Sequence, residues 1–146
     1  NFFLLSLLTL SHLTITEFWK HSNSYHEIRN SFLITKLLTE IPNTTSNTCD
    51  ICTRDFKDVY VHACCNCPST NAQREVWWDI LSDNFPVQLY CELNMYDDEI
   101  LFQMLLGRKP LTIFSSIDES VQFLKLCHAH VIQCVAEYSR SLRQCY

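Results

Sequence analysis

Five cysteines and a histidine crowd a short central stretch, from Cys49-Asp50-Ile51-Cys52 to His62-Ala63-Cys64-Cys65-Asn66-Cys67. As a pattern this is C-x2-C, eleven residues, then C-x2-C. Each C-x2-C closes a tight knuckle that points two thiolates at one ion. Four thiolates, from Cys49, Cys52, Cys64 and Cys67, would complete a closed tetrahedral Zn²⁺ site with Zn–S distances of about 2.3 Å. The fourth ligand stays open, because a small shift of the intervening segment brings His62 or Cys65 into the place of Cys64. Disulfides are the competing reading of closely spaced cysteines.

A second group lies near the C-terminus. Cys127, His130 and Cys134 follow one another at i, i+3 and i+7, so on a helix they share a face and with Cys91 or His62 make a candidate second metal site. A small core residue is the ordinary role of a helical cysteine. Catalysis finds little support. Cys127 and His128 are sequence neighbours, which point in different directions on a helix, and neither a His-Glu-x2-His nor a zinc deaminase signature is present. Four protein ligands on one zinc leave no position for a substrate or an activated water. The finger therefore reads as structural.

The segment holding Cys49, Cys52, His62, Cys64 and Cys67 resembles part of a RING finger. The resemblance covers about twenty residues. It implies a treble-clef or RING-like zinc fold and a ubiquitin-ligase or adaptor role, in which the finger performs no bond chemistry and an apolar patch docks a conjugating enzyme. On this chain that patch would hold Ile51 with Trp77 or Trp78. The glycine-poor, cysteine-rich and leucine-rich composition is also similar in character to small proteins of large DNA viruses, which implies a viral, virion-associated role.

The elements that must position these residues follow from pattern. Phe56, Val59, Tyr60 and Val61 are strand formers between polar turns, so a β-hairpin is expected between the knuckles. Thr70-Asn71-Ala72-Gln73 reads as a capping box opening a helix that ends near Pro86. Val87 to Leu93 alternates like a strand, and Leu111 to Phe114 suggests a second. Asp97-Asp98-Glu99 seeds a helix that Gly107 stops, with Arg108 and Lys109 at its carbonyl end. Ser116-Ile117-Asp118-Glu119 caps the longest helix, expected to run to about Gln144, with Val121, Leu124, His128, Val131, Val135, Tyr138 and Leu142 along its buried stripe. Helical patterns also fall over 2–20 and over 24–41, ended by Pro42 and a polar linker.

The expected fold is mainly α with a small β-hairpin zinc finger, an α+β arrangement of helices around a treble-clef or RING-like finger. Its parts are an N-terminal helical segment (1–42), the finger with its following helix (43–86), and short strands with C-terminal helices (87–146), all packed as one domain.

Composition bounds the function. The 146 residues are 47% hydrophobic and 18% charged, which is globular. A single glycine, Gly107, argues against a glycine-rich phosphate cradle. The net charge is -5, and from Glu75 to Gly107 there are seven acids and no lysine or arginine, which argues against nucleic-acid binding. Nine cysteines, an odd number with four in a metal-like pattern, suit an intracellular compartment, the cytoplasm or nucleus. The apolar run of the first fourteen residues lacks a basic flank and a cleavage site and is too short to span a bilayer, so it reads as a buried or partner-facing helix. Read as a signal peptide, it would make the chain a secreted, disulfide-bonded helical factor. The expectation is a non-enzymatic, zinc-stabilised interaction or assembly protein that binds a protein partner or itself.

Overall fold

The computed structural model describes residues 47–107, 111 and 113–145. The helices expected over 2–20 and 24–41, the linker entering the finger, and Arg108 to Pro110 lie outside the described residues.

The described chain is helical, and no strand ladder forms among the described residues. Residues 47 to 56 make a tight loop. Cys49 N donates to the Arg54 carbonyl at 2.9 Å and Thr53 N to the Cys49 carbonyl at 2.8 Å. One isolated antiparallel bridge, Thr48 to Asp55, closes the loop, and Thr48 Oγ1 donates to Asp55 Oδ1 at 2.8 Å.

The expected hairpin is corrected from here on. Asp58 takes an extended backbone, and its Oδ1 accepts from Tyr60 N at 2.8 Å and Val61 N at 3.2 Å. That N-cap starts helix α1 (Val59–Val61) on residues whose own preference is for strands. The helix widens at once into a π-helical turn, His62–Asn66, closed by Cys67 N donating to the His62 carbonyl at 2.8 Å. Capping outweighs β propensity here because that preference is worth no more than about 1 kcal/mol, comparable to one good cap.

A short 3-10 turn, Pro68–Thr70, leads into α2 (Asn71–Asn84). Thr70 does not act as the expected cap. Its hydroxyl donates instead to the Ala63 carbonyl at 2.6 Å and lies 3.1 Å from the Cys67 carbonyl, binding α2 to the finger.

The expected strand at Val87 to Leu93 is a helix, α3 (Val87–Leu93). Its buried residues are Leu89, Glu92 and Leu93, at the three-and-four spacing of a helix and not the two of a strand. Leu111 to Phe114 forms no strand among the described residues; Ile113 N donates to Glu92 Oε1 of α3 at 3.2 Å.

Helix α4 (Asp98–Leu105) starts as expected, with Asp97 Oδ1 accepting from Ile100 N at 2.9 Å and acids in its first turn. Gly107, at φ 78°, turns the chain where a Cβ would clash. Helix α5 (Ile117–Gln144) keeps its predicted cap, with Ser116 Oγ accepting from Glu119 N at 3.2 Å. Its stripe from Val121 to Tyr138 is buried, and it forms the wall against which the finger, α2 and α4 pack.

Candidate metal centre

Cys49, Cys52, His62 and Cys67 come together, their ligand atoms all within 4.8 Å of one another. The loop from 47 to 56 supplies the first two. The π-helical turn supplies the others, since its closing bond sets the backbones of His62 and Cys67 over one another. Cys49, His62 and Cys67 are buried and Cys52 is half-buried.

The donor set fits a zinc ion by its own geometry. Tetrahedral Zn–S bonds of about 2.3 Å and Zn–N bonds of about 2.0 Å place sulfur and nitrogen about 3.5 Å apart. Cys52 Sγ and His62 Nε2 are 3.4 Å apart. His62 Nδ1 is hydrogen-bonded to Asn66 Oδ1 one helical turn on, which puts the imidazole proton on Nδ1 and leaves Nε2 as a lone-pair donor facing the thiols. Asn66 is itself held, its Nδ2 donating to Asp98 Oδ2 at 2.9 Å. Phe56 stacks on the His62 ring at 5.4 Å between centroids, and Tyr138 meets it edge-on at 6.0 Å.

The thiols are prepared unequally. Burial alone would raise Cys49, but the Tyr138 hydroxyl donating at 3.2 Å, the backbone amides of Cys52 and Ile51, and His62 together lower it to about 6. Burial raises Cys67, partly offset by the Ser69 hydroxyl at 3.1 Å and its amide. Burial and the neighbouring Cys49 push the Tyr138 phenol up, so it stays a donor. Bound zinc would hold all three sulfurs as thiolates, and with four protein ligands its role would be structural.

Cys64 is not in this group. It packs in the apolar core with Trp77 and Cys134 and not with Cys49, Cys67 and Tyr138, and the neighbouring Cys134 together with burial pushes its thiol well up. Cys65, the other candidate substitute, is half-buried with its Sγ 3.7 Å from the Asp98 carbonyl. The substitution of His62 for Cys64 follows from the correction of the hairpin. Once residues 59–66 are helical, His62 and Cys64 face apart, and only His62 shares a side with the loop that carries Cys49 and Cys52.

The second metal site expected from Cys91, Cys127, His130 and Cys134 is not assembled. Cys91 is exposed on α3, and Cys127 is fully buried in the apolar core, which pushes its thiol well up. His130 and Cys134 do meet, at 3.6 Å from Sγ to Nε2, but among the described residues no third ligand joins them closely enough to share an ion.

Of the residues expected to dock a partner, Trp77 is buried at 4% exposure and stacks on His130 at 4.6 Å, so it is a core plug. Ile51 packs partly buried against the cluster of Cys49, Ala63, Cys67 and Tyr138. Trp78 is half-buried and lines a groove with Phe85, Val87 and Tyr90. Sequence reasoning missed Tyr138, Asn66 and Asp98 as parts of the site. Asn66 was findable from His62-x3-Asn66, one helical turn, had the segment been read as helix. Tyr138 carried no local signal beyond its place on the α5 stripe.

No known protein family matches this chain, and neither does any curated protein sequence or solved structure. Among the described residues no helix is long and apolar enough to cross a membrane.

Proposed function

We propose that the protein is a non-enzymatic, zinc-stabilised interaction or assembly module, in which one Cys3His zinc site fastens the central loop and turn to the long C-terminal helix. One observation carries this reading: the four ligand atoms lie within 4.8 Å of one another, with Cys49 tied through Tyr138 to α5, 89 positions along the chain. A site so closed has no use for a substrate and a clear use as a staple. Partner binding is supported by apolar surface that the described fold leaves out. Val87 and Tyr90 of α3 are 68% and 53% exposed, and with Trp78 and Phe85 they border an apolar groove of about 180 Å³.

The test is metal content by mass spectrometry on protein purified without chelator, with free thiols counted after denaturation. One zinc per chain, with Cys49, Cys52 and Cys67 alkylated as free thiols, is the expected result. No metal, with those cysteines paired in disulfides, overturns it.

A further inference from the structure

A cleft lies clear of the metal centre, where the π-helical turn, α2, the end of α3, α4 and α5 converge. Its volume is about 370 Å³, room for a small molecule, and none of Cys49, Cys52, His62 or Cys67 lines it. Trp77, Leu93 and Leu105 are buried in its walls, and Trp78, half-buried, lies 4.9 Å from Trp77 between ring centroids. The cleft is thus apolar within, and its charged groups stand apart from one another.

Charges of both signs line this cleft and do not meet. Arg74 donates to Thr70 Oγ1 and to the Cys67 carbonyl, each at 2.6 Å, and to Asn71 Oδ1. All three acceptors are neutral, and three bonds leave two of the five guanidinium N–H donors for an anion. Among the described residues no ion pair joins Arg74 to Glu75 or Asp98, the two acids of the cleft. Glu75 is exposed, and Asp98 accepts from Asn66 Nδ2 through one carboxylate oxygen. Trp77 adds a further donor. Its side chain is 4% exposed, and its indole Nε1–H is buried with no acceptor among the described residues. Buried N–H groups in folded proteins are nearly always partnered, so this wall of the cleft is short of an acceptor.

We propose that this cleft binds a small zwitterion with an aromatic body, the chemistry of a free aromatic α-amino acid. The ligand carboxylate takes the remaining donors of Arg74 and the Nε1–H of Trp77, which are short of acceptors. The ligand ammonium goes to Glu75 and to the second oxygen of Asp98. The ring lies among Trp78, Leu93 and Leu105, where it displaces water from apolar surface. Neither charge suffices alone. An anion without an ammonium faces the two acids, and a cation without a carboxylate faces the uncompensated guanidinium, so the cleft selects for a molecule that carries both. Arg74 keeps its three bonds to Thr70, Cys67 and Asn71 throughout, and the metal ligands are not engaged.

The experiment titrates the full chain as purified, by calorimetry, with L-phenylalanine and L-tryptophan, and with the arylacetate and the arylethylamine of each, which keep the ring and lack one charged group. At least one amino acid is expected to bind at one per chain, with both of its single-charge analogues weaker by about tenfold or more. No binding of either amino acid up to millimolar concentration overturns the proposal, and so does an analogue that binds as tightly as its parent. In the Glu75→Gln/Asp98→Asn double variant, with folding checked by circular dichroism, amino-acid affinity should fall to that of the arylacetate. An unchanged affinity would count against the proposal. In heteronuclear NMR spectra the Trp77 indole N–H resonance, assigned by its absence from Trp77→Phe, is expected to shift as the amino acid saturates. A stationary resonance would place the ligand elsewhere and overturn the assignment to this cleft.

Discussion

The Tyr138 hydroxyl donates to Cys49 Sγ at 3.2 Å, joining the last turns of α5 to the first ligand of the metal centre. The bond strengthens when Cys49 is a thiolate, because a charged acceptor holds a donor more tightly than a neutral one. Tyr138→Phe keeps the ring and its edge-on contact with His62 but removes the donor. The variant is expected to lose about 2 kcal/mol of stability, the worth of a buried hydrogen bond to a charged group. Urea unfolding of the zinc-loaded protein measures it, and a midpoint equal to wild type would show that the bond does no such service.

The choice of His62 over Cys64 as fourth ligand is open to a direct comparison. His62→Ala removes a ligand and is expected to reduce zinc content well below one per chain after gel filtration. Cys64→Ala truncates a thiol of the apolar core and should retain one zinc per chain. The reverse pattern would restore the four-cysteine site that the spacing alone suggests.

Asn66 would act on a bound metal through His62. Its side-chain oxygen fixes the imidazole tautomer, and Asp98 fixes Asn66. Asn66→Leu leaves all four ligands and frees the ring to turn, so zinc affinity should fall by about 10–100-fold with stoichiometry unchanged. Competition against a chromophoric chelator reads that change, and an affinity within about twofold of wild type would reduce Asn66 to a packing residue.

How far the sequence led can be followed residue by residue. Cys49 and Cys52 were legible because their C-x2-C spacing is a local geometric constraint; Cys67 was legible from a second C-x2-C whose other member, Cys64, the helical turn carries away from the group. The start of α5 was legible for a similar reason: Ser116 Oγ accepts from Glu119 N and donates to Glu119 Oε1, all within one turn. The segment Val59-Tyr60-Val61 misled because its β propensity is weak beside the Asp58 cap, and that one misreading exchanged Cys64 for His62. Val87 to Leu93 misled because Val87, Leu89, Cys91 and Leu93 alternate in sequence while only Leu89, Glu92 and Leu93 are buried. Which face a short helix buries is decided by tertiary packing, here against the core that α2 and α5 share.

Thr53 sits at φ 65°, a left-handed conformation that crowds a β-branched side chain. The turn needs it there, since Thr53 N donates to the Cys49 carbonyl and closes the first knuckle. Glycine holds this conformation without the clash, at the expense of greater freedom in the unfolded chain. Thr53→Gly is expected to stabilise the protein by up to about 1 kcal/mol, read as a higher urea midpoint at unchanged slope. A destabilised variant would mean that the Thr53 hydroxyl, 2.6 Å from the Cys52 carbonyl, outweighs the backbone strain.

His128 provides a pH dependence that does not involve the metal ligands. Burial within α5 disfavours its charged form and lowers its pKa from 6.5 to about 4. Because the folded state resists protonation, the unfolded chain binds more protons between those values, and stability falls as pH drops from about 6.5 towards 4. Above 6.5 both states hold a neutral imidazole and the contribution is constant. The slope from this one group approaches about 1.4 kcal/mol per pH unit inside the window. Acid also protonates zinc ligands, so the comparison that isolates His128 is the difference in unfolding free energy between wild type and His128→Leu across the same pH range. That difference should shift by a few kcal/mol, in favour of the variant, on going from about pH 7 to about pH 4. Parallel curves would place the His128 proton uptake at the same pH in the folded and unfolded chains, against the burial of its ring in the core.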